Sequence, residues 1–352
     1  MMICIIILLL IMIIIIFKVY FNIIINMFLL EIINLFFCFN NDKKNIVLLG
    51  DGFFARGFLH NINFNKFHIT QIYKDDFINP QDMMYNLDRN QNYYKSSHFR
   101  DLFNKTADVK IKENIIDMNI NKLYITINSN NYYYDYLVIG LGANKSLAKW
   151  KDELNEINNF NYNTINKKFN INIDIIGMGP VGLELTNILS QKFNITMYDI
   201  LSKEKVFNYV SPINKELLFD LLDKKNVNLS FGEMYKNNNN YSIFCVGSKP
   251  NILTQSLKPI NKYLQTDKNI YVGGDCINSN DFIKTGQVAY QQGVYVAKRL
   301  NGDIPLDKPF EYSHNGISLH LGNKKVLIEG HNILPDAVYP DFFIKMYSMF
   351  FI

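Results

Sequence analysis

Gly50-Asp51-Gly52-Phe53-Phe54-Ala55 and Gly177-Met178-Gly179-Pro180-Val181-Gly182 are two copies of one pattern. Each follows a short apolar run, Asn45-Ile46-Val47-Leu48-Leu49 in the first copy and Ile173-Asp174-Ile175-Ile176 in the second. Such runs suit strands buried on both faces of a parallel sheet. Each copy also opens a helical pattern, which in the second reads Leu183-Glu184-Leu185-Thr186-Asn187-Ile188-Leu189. In a strand–turn–helix of this kind the first glycine permits the tight turn and the second lets the backbone approach a pyrophosphate. The third small residue keeps helix and strand close. Gly50, Gly52 and Ala55 hold these places in the first copy, and Gly177, Gly179 and Gly182 in the second. The helix then points its N-terminal amides at the phosphates. One G-x-G-x-x-G is weak evidence, because the pattern is short and glycine is common. Two of them predict two dinucleotide pockets in one polypeptide, and so two cofactors that can exchange electrons.

The acidic partner differs between the copies. After the second comes Asn194-Ile195-Thr196-Met197-Tyr198-Asp199. Asp199 ends this strand about 20 residues on, where a carboxylate bonds a ribose 2′-OH. A carboxylate there repels a 2′-phosphate, so the second pocket is expected to prefer NADH to NADPH. After the first copy the strand is His68-Ile69-Thr70-Gln71-Ile72-Tyr73, with Tyr73 in the equivalent place and Asp75 and Asp76 just beyond.

Further stretches extend the pattern. They are Asp135-Tyr136-Leu137-Val138-Ile139-Gly140-Leu141-Gly142-Ala143, Phe244-Cys245-Val246-Gly247-Ser248-Lys249-Pro250-Asn251 and Ile270-Tyr271-Val272-Gly273-Gly274-Asp275. Beyond them lie Gly286-Gln287-Val288-Ala289-Tyr290-Gln291-Gln292-Gly293 and Phe310-x-Tyr312 with Gly316 and Gly322. In this order, from about Lys44 to Gly322, the chain resembles the two-dinucleotide-binding-domain flavoproteins of the FAD-dependent pyridine nucleotide-disulfide oxidoreductase superfamily. Within it the chain resembles the type II, non-proton-pumping NADH:quinone oxidoreductases. The resemblance implies that Gly142 and Gly247 lie where the chain leaves the flavin and the nicotinamide domain. It implies that Gly274 and Asp275 hold the flavin, with the aspartate on the ribityl chain. It also implies that Gln291 and Gln292 stand on the quinone-side helix, whose family pattern is A-x-x-A-x-Q-Q; Gly286 departs from its first alanine.

The expected architecture is therefore α/β, with two Rossmann-like domains. At 352 residues the chain has room for both. The flavin domain is discontinuous, residues 44–150 and 255–323, with the nicotinamide domain, 168–252, inserted. Asn237-Asn238-Asn239-Asn240 reads as a short loop replacing a longer family element.

Residues 1–40 form a hydrophobic N-terminal segment. Met1 to Phe17 carries no charge, Lys18 interrupts, and Val19 to Leu30 is mostly apolar again. A membrane helix needs about 17–25 apolar residues, so residues 1–17 just qualify, with Lys18 able to snorkel to the interface. A signal peptide is the rival, but a basic n-region and small-residue cleavage site are missing. The third reading is a mis-assigned start. Residues 324–352 form a tail whose end, from Asp341 to Ile352, is apolar with one lysine. Such a segment suits a membrane interface or covers a core.

Charge and cysteines exclude other classes. A net charge of +4 and a pI near 8.6 define no nucleic-acid stripe. Cys4, Cys38, Cys245 and Cys276 are scattered and form no C-x-x-C, so disulfide-reductase chemistry has no thiol pair. Cys245 and Cys276 are expected to pack as small apolar residues. The six histidines show no metal-ligand spacing.

The resemblance implies an enzyme that takes a hydride from NADH onto FAD and passes electrons to a membrane quinone. Glu184, just after the second fingerprint, orients the nicotinamide, relays a proton, or is a solvated first-turn residue. Gln291 and Gln292 bond a quinone carbonyl, help close the flavin site, or pack their helix. A membrane-associated location, in the mitochondrial inner membrane or another internal membrane, goes with this, and a homodimer is compatible with it. Two rivals stay open. One is an NADH reductase feeding a soluble iron-sulfur protein. The other is a redox-sensing flavin and NADH-binding protein like apoptosis-inducing factor.

Overall fold

The computed structural model describes residues 43–74, 105–144, 171–237, 240–247, 249–257, 260–277, 284–314, 317–321 and 326–329. The chain divides into two compact units, Met1–Lys44 and Asn45–Ile352. The apolar N-terminal segment, Asp75, Asp76 and the C-terminal tail from residue 330 lie outside the described residues. Among the described residues no helix is long and apolar enough to cross a membrane.

The first sheet is mostly parallel. Its strands are β1 (Lys44–Leu49), β2 (Phe67–Tyr73), β3 (Val109–Lys112), β7 (Tyr136–Ile139), β14 (Gln265–Asp267) and β15 (Ile270–Val272), in the order β14-β15-β7-β1-β2-β3. β7 runs parallel to both β1 and β15, β2 runs parallel to β3, and the β14–β15 pair is antiparallel. The last four residues of β1 and all of β15 are buried, as strands covered on both faces must be. Between β3 and β7 an antiparallel meander forms from β4 (Met118–Ile120), β5 (Tyr124–Ile127) and β6 (Asn130–Tyr133). Asn128 and Ser129, both at positive φ, turn β5 into β6. Ile125 and Ile127 point from this meander into the first core.

The second sheet is wholly parallel. Its strands are β9 (Asn172–Ile176), β10 (Asn194–Asp199), β11 (Asn228–Phe231) and β12 (Tyr241–Phe244), in the order β11-β10-β9-β12. Chain order places this sheet between β7 and β14, so the strands of the first sheet are interrupted by those of the second. The way out and back is a short antiparallel ribbon, β8 (Ala143–Asn144) against β13 (Lys249–Pro250). The Asn251 amide bonds the Gly142 carbonyl at 3.2 Å and closes its base.

Among the described residues four α-helices serve the sheets. α1 (Phe53–Asn61) follows β1, α2 (Pro180–Leu189) follows β9, α3 (Pro212–Lys224) follows β10, and α4 (Gly286–Asn301) follows β15. α1 and α4 cross at two glycines. A Cβ on Gly57 would sit 2.2 Å from the Tyr290 carbonyl oxygen, and one on Gly293 would sit 2.0 Å from that of Phe54. The backbones therefore touch where they cross.

A hairpin of β16 (Ile317–His320) and β17 (Val326–Glu329) follows α4. Leu319 and Leu321 bury with the core of the second sheet. The Lys225 ammonium bonds the carbonyl oxygens of Asn187 and Leu321, both at 2.9 Å. The sequence reading carries the first domain to residue 323; these side chains pack with the second.

Candidate dinucleotide sites

The two glycine turns repeat each other bond for bond. The Gly50 amide bonds the Ile72 carbonyl at 2.8 Å and the Gly177 amide bonds that of Tyr198 at 2.7 Å. One strand over, Gly140 bonds Leu49 at 2.8 Å and Cys245 bonds Ile176 at 2.7 Å. Gly50 and Gly177 take φ of +101° and +105°, where an L side chain is strained. A Cβ on Gly50 would lie 2.3 Å from the Gly140 oxygen, and one on Gly177 2.5 Å from that of Cys245. Two residues past each of these carbonyls stand Gly142 and Gly247, both again at positive φ. The third small residue is tight in both copies: Ala55 is fully buried, and a Cβ on Gly182 would lie 2.0 Å from the Gly177 oxygen.

The second glycines behave differently. Gly52 has φ −83° and Gly179 has φ −74°, ordinary values for any residue. A Cβ on either meets no described atom within 4 Å. Each is the N-cap of its helix, without a side-chain cap bond and with no acidic residue in the first turn. Neither the backbone nor the packing needs glycine there. An anion lying against the uncapped first-turn amides does, and both sites fit a pyrophosphate.

Around the first turn, Gly274 at φ +75° donates its amide to Gln292 Oε1 at 2.7 Å. Asp275 is half-buried, and burial raises its carboxyl above the usual range, with Lys284 opposing. The sequence reading missed two features here. Phe54 fits its ring where a Cβ on Gly273 would lie 1.9 Å away and one on Gly140 2.4 Å away, so both glycines make its slot. Gly286, the departure from alanine, likewise lies under Phe53, whose ring a Cβ would meet at 2.7 Å. The other feature is ionic. Asp51, 6% exposed, accepts from Arg56 Nη2 at 2.6 Å and Gln71 Nε2 at 2.9 Å, with Lys110 Nζ at 4.0 Å. Lys110 also lies 4.5 Å over the Tyr73 ring. Cations therefore neutralise the carboxylate inside the fingerprint.

The second turn opens on a cavity of about 530 Å³ lined by Gly177, Gly179, Asp199, Tyr209, Tyr235 and Gly247, among others. Asp199 Oδ2 accepts the Met178 amide at 2.8 Å and Oδ1 the Leu201 amide at 2.9 Å. The predicted ribose partner thus also holds the glycine turn. Tyr209 is pushed far above the usual phenol range, by burial first and then by the charges of Glu184 and Asp199. Glu184 therefore stands on α2 within electrostatic reach of Tyr209, which lines the cavity.

Gln291 and Gln292 come together on α4, each on backbone atoms. Besides its bond to Gly274, Gln292 is 1% exposed. Gln291 Nε2 donates to the Ser313 carbonyl at 2.7 Å and its Oε1 accepts the Ser313 amide at 3.0 Å. Nearby, the Tyr312 hydroxyl donates to Gln287 Oε1. Cys276 is buried and donates to the Gly273 carbonyl at 3.1 Å. Burial pushes its thiol up to about 11, so it stays protonated at neutral pH.

No protein-family model matches the chain, and no curated protein matches it either. Solved structures are similar in fold. NDH2 from Plasmodium falciparum in complex with NADH superposes with a TM-score of 0.64 at 15% identity, covering 88% of this chain and 95% of that one. Reduced CoADR-RHD from Bacillus anthracis gives 0.61 at 16% identity, with 81% of this chain and 61% of that one covered. The ferredoxin reductase for the CYP199A2 system from Rhodopseudomonas palustris gives 0.60 at 17% identity, covering 80% and 81%. These likenesses show the fold.

Proposed function

We propose that this chain is an FAD-dependent NADH oxidoreductase, with FAD on the first glycine turn and NADH on the second. One observation carries the proposal. Gly52 and Gly179 are glycines that neither conformation nor packing requires, at the uncapped N-termini of two helices. When bound, the flavin supplies a two-electron acceptor for the hydride of a dihydronicotinamide. The chain's own residues bind and orient. The amides of α1 and α2 receive the pyrophosphates, Asp275 accepts a ribityl hydroxyl, and Asp199 accepts a ribose hydroxyl. Glu184, within electrostatic reach of Tyr209, orients the nicotinamide end. A visible flavin spectrum of the purified protein, bleached by NADH without oxygen, is the expected result. A colourless preparation that FAD cannot reconstitute overturns the proposal.

The second electron acceptor in this proposal is a membrane quinone, at an internal membrane. The near-complete overlap with the NDH2 structure and the uncharged run from Met1 to Phe17 support it. The soluble iron-sulfur reading has its own support, because the Gln291 and Gln292 amides already bond the protein backbone. Gln291→Ala separates the two. For a quinone enzyme it is expected to slow reoxidation by quinone more than anaerobic reduction by NADH, since freeing Ser313 reshapes the acceptor side. Stopped-flow rates falling equally, or not at all, would put the soluble acceptor first.

Nicotinamide choice gives a second prediction. Asp199→Asn keeps one oxygen for a backbone amide and removes the charge that repels a 2′-phosphate. The preference for NADH over NADPH, as a ratio of kcat/KM values, is expected to narrow about ten-fold, equivalent to roughly 1.4 kcal/mol. An unchanged ratio confines Asp199 to holding Met178 and Leu201.

A further inference from the structure

Asp174 stands in the interior of β9 and is fully buried. Its neighbours Ile173, Ile175 and Ile176 are isoleucines, and a β-branched residue would pack there with no polar group to satisfy. Its carboxylate instead takes bonds from one loop, residues 232–240 between β11 and β12. The Tyr235 hydroxyl donates to Oδ2 at 3.1 Å and Asn240 Nδ2 donates to Oδ1 at 3.2 Å. Ser242 Oγ lies 2.6 Å from the same hydroxyl oxygen. Ser242 Oγ also donates to the Asn240 carbonyl oxygen at 3.3 Å, so the hydroxyl, the carboxylate and the loop form one network. The Tyr235 ring then meets Tyr198 edge-on at 5.0 Å and Phe244 at 6.1 Å. The loop begins at Gly232, whose amide bonds the Asp199 carbonyl at 2.9 Å. It is thus fixed beside the ribose carboxylate at one end and to the buried Asp174 at the other. Tyr198, Asp199 and Tyr235 line one cavity.

We infer that Asp174 is a positioning residue: through Tyr235 it holds an aromatic wall beside Asp199, against which the adenine of the nicotinamide dinucleotide packs. The inference rests on the assignment of NADH to the second site. Every base offers a π-face, so an aromatic ring is a platform for it, and a ring fixed at its hydroxyl loses no freedom on binding.

Calorimetric titration of the full-length flavin-loaded protein with NADH, ADP-ribose and nicotinamide mononucleotide tests this. Tyr235→Leu is expected to weaken NADH and ADP-ribose about ten-fold, in the range seen for loss of one base–aromatic stack. Nicotinamide mononucleotide, which lacks adenine, should bind as to the parent protein. In turnover, KM for NADH should rise by a larger factor than kcat falls. Tyr235→Phe keeps the ring and loses its tether, so its defect should have the same pattern and be smaller. Asp174→Asn should match Tyr235→Phe; if it does not fold, the two Tyr235 variants decide. ADP-ribose binding unchanged in Tyr235→Leu overturns the inference. So does an equal loss of ADP-ribose and nicotinamide mononucleotide, which marks general collapse of the domain. A parent protein that binds none of the three overturns the assignment of the second site itself.

Discussion

Gly293→Ala is expected to destabilise the first domain strongly, although alanine is the better helix former. Propensity alone favours the alanine by about 1 kcal/mol in a helix interior. Packing opposes it. The added carbon would lie 2.0 Å from the Phe54 carbonyl oxygen and 2.7 Å from the Phe58 amide nitrogen. Both are backbone atoms of α1, so no rotamer change relieves the overlap and the helices must separate. Overpacking of this kind costs about 1–3 kcal/mol and occasionally more. Here it acts where the backbones of α1 and α4 touch, so the upper end applies and packing wins. A net loss of about 2 kcal/mol is a large part of the 5–15 kcal/mol that hold a typical domain together. Separation also moves Gln292, whose side chain fixes the Gly274 amide, so flavin retention should fall with stability. Urea unfolding of Gly293→Ala, with Gly57→Ala as its mirror across the same crossing, checks this. A midpoint unchanged or raised in both would show that the crossing is looser than the geometry requires.

Both glycine turns were legible because their determinants are local. A glycine after an apolar run, a helix beginning three residues later and, in the second copy, an acid at the next strand end are features of neighbouring residues. The strands Asn194–Asp199 and Ile270–Val272 fall where the residues place them. Features that depend on distant partners were not legible. Gly57 and Gly293 are more than two hundred residues apart in sequence, and neither looks like more than a weak helix position until α1 meets α4. Gly140 and Gly273 read as parts of motifs, whereas their close contact is with the Phe54 ring. Asp51 gave no sign of its buried cluster, because Gln71 and Lys110, which join Arg56 around its carboxylate, come from two further strands. The β8–β13 ribbon spans two residues on each side, below the length at which alternation can be seen. Asp174 did leave a mark, a charge inside an isoleucine run, but its meaning lies in Tyr235 and Asn240, some sixty residues on. Gln291 and Gln292 were read for what an amide can offer a quinone. The backbone atoms they bond are set by the folded chain.

Gly52→Val is expected to do the opposite of Gly293→Ala: leave the fold alone and abolish flavin binding. Gly52 sits at φ −83° and ψ −169°, an extended conformation that valine prefers. Its Cβ direction holds no described atom within 4 Å. A surface change of this kind stays within about 0.5 kcal/mol. The isopropyl group, however, projects into the space where the first-turn amides of α1 receive the pyrophosphate, and the backbone can no longer approach it. Stability must be compared between flavin-free forms, because bound ligand itself raises the apparent stability by mass action. The expected pair of results is an unfolding midpoint like that of the stripped parent protein and no visible absorbance after incubation with FAD. Gly179→Val should keep the flavin and lose the response to NADH, since the same geometry recurs on α2. Stoichiometric flavin in Gly52→Val would sink the assignment of the first turn. Flavin loss in Gly179→Val with NADH binding intact would show that the two turns had been assigned the wrong way round.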